Sequence, residues 1–279
     1  MRVSPATILM SSTHDAGRIE TAMIPAILQA RTSSRRFPRK VLEPLMGKPM
    51  ILRQIERIRR AKRLDALVLA TSEDASDDEL ARVCEKDGVA VHRGSLEDVL
   101  SRFVGAARRF GAPDRVVRLT GDCPLTDPQI IDRVVDEALL SGADYASNAL
   151  EPTFPDGLDV EVLRYAALTT IAAEPRSAAE REHVTLALYR QAERFKIHSV
   201  RNGEDYSQLR WTVDEPRDFA LVKAIYEALY PAKPDFAFAD ILALIKRRPE
   251  LARLNAQAKR NEGLAKSLAV ERDGEPPPS

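Results

Sequence analysis

The chain has 279 residues, 44% of them hydrophobic and 5% aromatic, with 42 basic side chains against 42 acidic ones. That length holds one large or two small domains, and a formal net charge of zero gives no global reason to expect nucleic acid or an anionic membrane as partner. Two distant cysteines, Cys84 and Cys123, exclude a disulfide scaffold and fit a reducing, cytoplasmic compartment, and no apolar run approaches the length of about 18 residues that a membrane span needs.

Residues 1–22 read as a loose N-terminal leader without a proper apolar signal region, with Met23 as an alternative start. Residues 24–28 are apolar and predict a buried first strand. It feeds QARTSSRRFPRK, where Arg31, Arg35, Arg36, Arg39 and Lys40 stand beside Ser33 and Ser34. A short strand leading into a basic, hydroxyl-bearing loop suits the phosphates of a nucleotide, because backbone N–H groups, hydroxyls and fixed cations can meet several oxygens at once. The plainer reading is a solvated basic loop.

Lys48-Pro49 predicts the opening of a helix to about residue 60, since Pro is tolerated in a first turn. Strand two is expected at 67–70 and a helix at 77–86, with Gly88 closing it. Strand three follows at 89–92, then a helix whose capping box is Ser95 with Asp98. Strand four at 116–119 leads into TGDCPLTDP and a helix over 128–140, with Asp127-Pro128 as cap and first-turn pair. This alternation predicts an α/β fold, an open parallel sheet with helices on both faces and its ligand beyond the carboxyl ends of the strands. The 31–40 and 120–124 loops both fall on that edge.

The regularity fades after residue 144. A half-exposed strand is expected at 158–162, a short helix at 165–173, and a helix from the capping box of Ser177 and Glu180 to about residue 193. Strands at 195–200 and 209–213, a helix at 216–229, a break at Pro231 and Pro234, and helical segments at 238–246 and 250–269 complete the chain. The organisation predicted is a domain at 23–230, within it a 145–205 excursion from the sheet shaping an acceptor pocket or a subunit contact, and a helical extension and tail at 231–279.

Asp122 and Asp214 each follow an apolar segment directly, so each can point a carboxylate across the ligand edge. Two oxygen donors from separate loops suit Mg²⁺, which keeps several waters and bridges carboxylates to phosphates; taken singly, each Asp also reads as a turn or helix cap. Cys123 lacks a His partner, and the four histidines show no ligand spacing, His183 within Arg181-Glu182-His183 being the one to follow. Dinucleotide-type glycines are missing after the first strand, which argues against a nicotinamide or flavin cofactor.

QARTSSRRFPRK resembles the opening motif of the CMP-sugar synthetase group of cytidylyltransferases, more particularly the spore coat polysaccharide biosynthesis proteins that share its domain. The resemblance continues through Gly47-Lys48-Pro49-Met50, Arg93-Gly94-Ser95, Gly121-Asp122-Cys123-Pro124-Leu125, Asp156-Gly157-Leu158-Asp159-Val160-Glu161, Arg181-Glu182-His183-Val184-Thr185, Leu209-Arg210-Trp211-Thr212-Val213-Asp214 and Asn261-Glu262-Gly263. It implies a Rossmann-like, mostly parallel (mixed) sheet of the nucleotide-diphospho-sugar transferase type. It further implies CMP transfer from CTP to an acidic sugar (a nonulosonic or related acid) or a phosphonate, with release of pyrophosphate, and a homodimer.

By this resemblance Arg31, Ser34, Arg36 and Lys40 match triphosphate contacts, with Arg36 and Lys40 catalytic. Gln29, Ala30 and Arg93 fall in nucleotide-binding positions, and Asp122 and Asp214 match the Mg²⁺ ligands. Asp156, Asp159, Glu161, His183 and Arg210 fall in acceptor motifs, with Arg210 pairing with the acceptor's anion. Ser33 and Arg39 replace the usual Gly, and Gln29 replaces a Pro; Arg39 either adds a phosphate contact or changes the loop's pose. The alternatives are a transferase using another NTP, a nucleotide-sugar-dependent glycosyltransferase, or a scaffold protein that kept the fold. A glycosyltransferase more often carries a tight Asp-x-Asp pair, whereas Cys123-Pro124 follow Asp122.

Overall fold

In the computed structural model, residues 23–174, 176–256, 260 and 262–273 are described. The leader expected at 1–22, part of the Asn261-Glu262-Gly263 motif and the end of the tail lie outside them.

The apolar run after Met23 forms β1 (Pro25–Gln29). A basic loop and one tight helical turn (Lys40–Leu42) follow, then a small hairpin of β2 (Pro44–Leu45) and β3 (Lys48–Pro49). Lys48-Pro49, expected to open a helix, is instead the second arm of that hairpin, and α1 (Met50–Ile58) starts one residue later. The alternation then runs β4 (Ala66–Ser72), α2 (Asp78–Lys86), β5 (Ala90–Gly94), α3 (Val99–Arg108), β6 (Arg115–Thr120) and α4 (Pro128–Ser141). Asp127 caps α4 by accepting from the Gln129 N–H at 2.8 Å. The cap of α3 is Asp98, which accepts from Ser101 N–H at 2.9 Å, while Ser95 Oγ accepts from Asp98 N–H at 3.0 Å one turn earlier.

The second half supplies β7 (Tyr145–Ser147), β8 (Glu161–Arg164), α5 (Tyr165–Ala173), α6 (Ala178–Glu182), α7 (Leu186–Tyr189), β9 (Ile197–Ser199), α8 (Pro216–Leu229), α9 (Phe238–Arg247), α10 (Glu250–Arg253) and α11 (Glu262–Asp273). Seven strands form one mixed sheet in the order β5-β4-β1-β6-β8-β7-β9. β1, β4, β5 and β6 are mutually parallel where they pair, whereas β8 runs antiparallel to both β6 and β7. The 145–205 region, expected to leave the sheet, therefore returns three strands to it.

Strand periodicity places successive side chains on opposite faces. Ala26 and Leu28 face a core shared with α1, α4 and α8, while Ile27, Val68 and Val116 face a second core under α3 and α5. The expected helix over 177–193 is broken, because Val184, Leu186, Ala187 and Leu188 are all buried and no straight helix can turn four such neighbours to one side. The Ser177–Glu180 capping box is present at its start. The expected strand at 209–213 is also absent, and its backbone bonds two loops of the site. Among the described residues no helix is long and apolar enough to cross a membrane.

Candidate active site

The loop after β1 is pinned at both ends. Thr32 donates its N–H and its hydroxyl to Asp77 Oδ1 at 2.7 and 2.8 Å, and the Thr32 carbonyl accepts from Ser34 and Arg39 N–H groups, both at 2.9 Å. Ser34 Oγ faces the loop's own Phe37 N–H at 3.4 Å. Arg39 takes the left-handed conformation, φ 60°, a backbone region that Gly adopts freely and other residues rarely do. Its guanidinium is on Glu79 at 2.5 Å.

That turn delivers Lys40 to the centre of the site. Its ammonium donates to Asp122 Oδ2 at 3.3 Å, Asp214 Oδ1 at 2.9 Å and the Val213 carbonyl at 2.6 Å, which uses all three of its N–H bonds. Burial alone would lower the Lys40 pKa, but the two carboxylates outweigh it and hold the amine charged. Asp214 Oδ2 meets Arg36 at 3.1 Å and Arg210 at 2.7 Å. Burial pushes Asp214 up, yet Lys40, Arg36 and Arg210 together hold it down at about 2.

Asp122 reaches this point because Gly121 lets the ends of β1 and β6 close. A Cβ at 121 would stand 2.6 Å from the Ala30 Cβ, and Gly121 N–H donates to the Gln29 carbonyl at 2.7 Å. On the other side, the Asp122 carbonyl accepts from Val213 N–H at 2.8 Å, and the Asp156 carbonyl accepts from Trp211 and Thr212 N–H groups at 2.6 and 3.0 Å. Gly157, φ 104°, makes that approach possible, since a Cβ there would lie 2.4 Å from Thr212 N.

Arg210 was expected to meet the acceptor's anion. Its guanidinium is instead enclosed by Asp156 at 2.6 Å, Asp214 at 2.7 Å and Asp218 at 3.2 Å, which makes it the internal strut between the two loops. A buried guanidinium needs such partners, because removing it from water uncompensated is costly. Asp218 is fully buried and also caps α8 through Asp214 and Glu215 N–H groups at 3.0 and 2.9 Å.

Glu161, on β8, accepts from Tyr145 Oη at 2.5 Å and Thr185 Oγ1 at 2.6 Å and is ion-paired with Arg118. Burial raises its pKa, and Arg118 with the two hydroxyls more than reverses the effect. Arg118 also donates to Gln29 Oε1 at 3.2 Å, so Gln29 faces β6. Asp159 pairs with Arg260, which donates to the Phe154 carbonyl at 3.2 Å. Burial raises Asp159 to about 7, with Arg260 opposing and Asp156 and Glu161 adding to the rise. His183 Nε2 lies 3.1 Å from Ser267 Oγ on α11, and burial lowers its pKa.

The predicted residues Arg36, Lys40, Asp122, Asp156, Asp214 and Arg210 thus form one continuous chain of contacts. Arg31 stands apart, 3.9 Å from Glu182, and Arg36 also reaches Glu262 at 3.1 Å. Arg93 is tied to the Ser72 and Asp74 carbonyls at 2.8 and 2.9 Å and to Asp78 at 2.6 Å, bracing the loop after β4. Sequence reasoning missed Arg118, Arg260 and the Thr32–Asp77 anchor, whose partners are distant in the chain, and Asp218, which caps α8 from within its first turn; among these and Glu262, only Thr32 and Glu262 stand in the resembling motifs. Cys123 is buried and its pKa is raised well above the thiol range by burial and Asp122, which keeps it protonated and unreactive.

Asp122 and Asp214 turn carboxylate oxygens, the donor type that Mg²⁺ takes, toward one point, which the Lys40 ammonium occupies. Among the described residues no group of three or more His, Cys, Asp or Glu is arranged around a metal, so a cation here would complete its shell with water and substrate oxygens.

The sequence model of the cytidylyltransferase family matches residues 25–260. The spore coat polysaccharide biosynthesis protein SpsF of Bacillus subtilis (strain 168) is 33% identical over 233 residues, 81% of this chain and 95% of its own. A 3-deoxy-manno-octulosonate cytidylyltransferase of Anaeromyxobacter sp. (strain Fw109-5) is 36% identical over 138 residues, 49% of this chain and 54% of its own. A solved cytidylyltransferase from Leptospira borgpetersenii serovar Hardjo-bovis (strain JB197) shares the fold with a TM-score of 0.79 at 30% identity, covering 83% of this chain and 97% of that one.

Proposed function

The chain belongs to the cytidylyltransferase family, and on that premise we propose that it transfers CMP from CTP to an acidic sugar, a nonulosonic or related acid, or to a phosphonate, with Mg²⁺ as cofactor. The observation that carries the reading is the convergence of Asp122, Asp214 and Arg36 on and around Lys40 at the carboxyl edge of β1 and β6. An acceptor oxyanion (a hydroxyl acceptor having given its proton to solvent) attacks the α-phosphorus in line; the new P–O bond forms as the bond to the pyrophosphate oxygen breaks, and no covalent enzyme intermediate is required.

Lys40 and Arg36 are fixed cations beside the leaving group and take up the charge that develops on it. Asp122 and Asp214 would hold Mg²⁺, which when bound supplies charge neutralisation on phosphate oxygens. Arg210 keeps Asp214 ionised and aligned. Asp156 and Asp159, on the loop before β8, and Glu161, at the start of β8, stand on the neighbouring side, paired with Arg210, Arg260 and Arg118, and an acceptor's hydroxyls or amino group would share them with those arginines. The acceptor class follows the family likeness together with this polar wall.

The test is pyrophosphate release with each of the four NTPs and Mg²⁺ against a panel of sugar acids and phosphonates, repeated with Asp122→Ala and Asp214→Ala. CTP alone is expected to be consumed, and each substitution to lower turnover by roughly 10²–10³-fold. Consumption of a different NTP, sugar transfer from a nucleotide sugar, or near-wild-type turnover in both variants overturns the reading.

A further inference from the structure

Asn255 lies two residues beyond α10, and its amide is buried although it belongs to the carboxyl-terminal extension. Its Nδ2 donates to the Arg210 carbonyl at 3.0 Å and to Asp218 Oδ1 at 2.9 Å, 45 and 37 residues back along the chain. Both partners are acceptors, so the amide nitrogen and not its oxygen has to face them. One amide thus holds Arg210 at both ends. It grips the backbone directly, and it grips the guanidinium through Asp218, whose Oδ1 also accepts from Arg210 Nε at 3.2 Å.

These bonds lead to Asp214. Asp218 Oδ2 accepts from the Asp214 and Glu215 N–H groups at 3.0 and 2.9 Å, so with Arg210 and Asn255 on Oδ1 this fully buried carboxylate has all four acceptor positions filled. Arg210 Nη2 in turn meets Asp214 Oδ2 at 2.7 Å. Asp214 is therefore held at its backbone by Asp218 and at its side chain by Arg210, and Asn255 grips both holders. The local charge explains why an amide stands there. Three carboxylates, Asp156, Asp214 and Asp218, already surround the one guanidinium. A second cation would compete with Arg210 for Asp218, and a further carboxylate would repel it. A neutral double donor fills the remaining lone pairs without either effect.

We infer that Asn255 is a positioning residue of the transfer site: it sets the place of the Asp214 carboxylate through Arg210 and Asp218, and so ties the carboxyl-terminal extension to the chemistry. This rests on the CTP and Mg²⁺ reading above and deepens it. Loss of a group that orients a metal-binding carboxylate typically costs roughly 10- to 100-fold in metal affinity or activity. Packing of the extension is carried by other residues. Leu251 on α10 is buried in the core that holds Leu221 and Val222 of α8 and Ile241 and Leu244 of α9, and its apolar side chain offers no hydrogen bond to Arg210 or Asp218.

The experiment is calorimetric binding of CTP, in EDTA and across a series of Mg²⁺ concentrations, to the full chain and to its Asn255→Ala, Asn255→Asp and Leu251→Ala forms, each with its melting temperature. Asn255→Asp keeps the shape and loses both donors, so it serves where Asn255→Ala does not fold. In the wild type Mg²⁺ is expected to tighten CTP binding. In either Asn255 form the Mg²⁺ concentration giving half of that tightening should rise roughly 10- to 100-fold, while CTP affinity in EDTA moves less than about twofold. Leu251→Ala should melt earlier and keep the wild-type Mg²⁺ response. A folded Asn255 variant with the wild-type Mg²⁺ response, or a Leu251→Ala form that loses the response to the same extent, overturns the assignment of Asn255. A wild type whose CTP affinity is the same with and without Mg²⁺ overturns the metal reading on which it rests.

Discussion

Asp77 holds Thr32 by two hydrogen bonds to a single carboxylate oxygen, from the backbone N–H at 2.7 Å and from the hydroxyl at 2.8 Å, across 45 residues of sequence. The other oxygen accepts from Ser72 N–H at 3.1 Å. Burial pushes the Asp77 pKa up, and the bonds from Ser72 and Thr32 bring it below the ordinary value. The basic loop is thereby anchored to the strand beside it. Asp77→Ala leaves these buried donors unmet and should cost about 2–3 kcal/mol in chemical denaturation, with a weaker CTP affinity than the stability loss alone explains.

The Lys40–Asp214 contact makes an acid limb in stability. Asp214 titrates at about 2 in the folded protein, below its ordinary value of 3.8, so its contribution is full above pH 4 and is lost as pH falls from about 4 to 2. Asp214→Asn should flatten that limb by about 2 kcal/mol, read as the pH dependence of the urea midpoint. An unchanged acid limb would contradict the assignment.

Asp159 behaves in the opposite sense. Its folded value of about 7 lies above the ordinary 3.8, so the folded state holds a proton the unfolded chain has lost, and this contribution fades as pH rises from about 4 to 7. Arg260, Asp156 and Glu161 are the charges that act on it. An anionic acceptor should therefore show a KM that rises through pH 7 while the KM for CTP stays level, and Asp159→Asn should remove the rise.

Glu262, at the start of α11, shares Arg36 with Asp214 and Glu215. A triphosphate that uses Arg36 competes with these carboxylates. Glu262→Gln should tighten CTP binding by roughly two- to fivefold without changing the melting temperature, since a half-exposed ion pair adds little stability. Equilibrium titration with CTP checks it.

Arg39 is held at φ 60°, where a side chain is strained and Gly is not. Arg39→Gly should raise stability by up to about 1 kcal/mol, because relief of the left-handed strain outweighs the loss of the exposed pair with Glu79. A clear destabilisation in thermal unfolding would show that the Glu79 contact dominates.

The parallel frame was legible because its signals are local: apolar runs at Pro25–Gln29 and Ala66–Ser72, the Asp127-Pro128 cap, and Gly88 with φ 75°. The meeting of Asp122 and Asp214 was legible for the same reason, each following an apolar segment. What escaped was long-range charge pairing. Arg210 carries no local sign that Asp156, 54 residues away, and Asp218 will enclose it, so it read as free for a ligand. The apolar segment at 209–213 suggested a strand, but its N–H groups bond carbonyls in two loops instead of a sheet. Short β7 gave no alternation to read, and it pairs only through partners from elsewhere in the chain.

The backbone bonds from Val213 to Asp122 and from Trp211 and Thr212 to Asp156 have one more consequence. They rivet the floor of the cleft, so neither loop can swing aside alone to admit a molecule. On the opposite rim α11 is held through side chains: Glu262 on Arg36, Ser267 on Glu182 and His183, and Glu271 on the Ala179 N–H. A single substitution at Glu262, Ser267 or Glu271 can therefore loosen that rim, whereas side-chain truncation removes no bond from the floor.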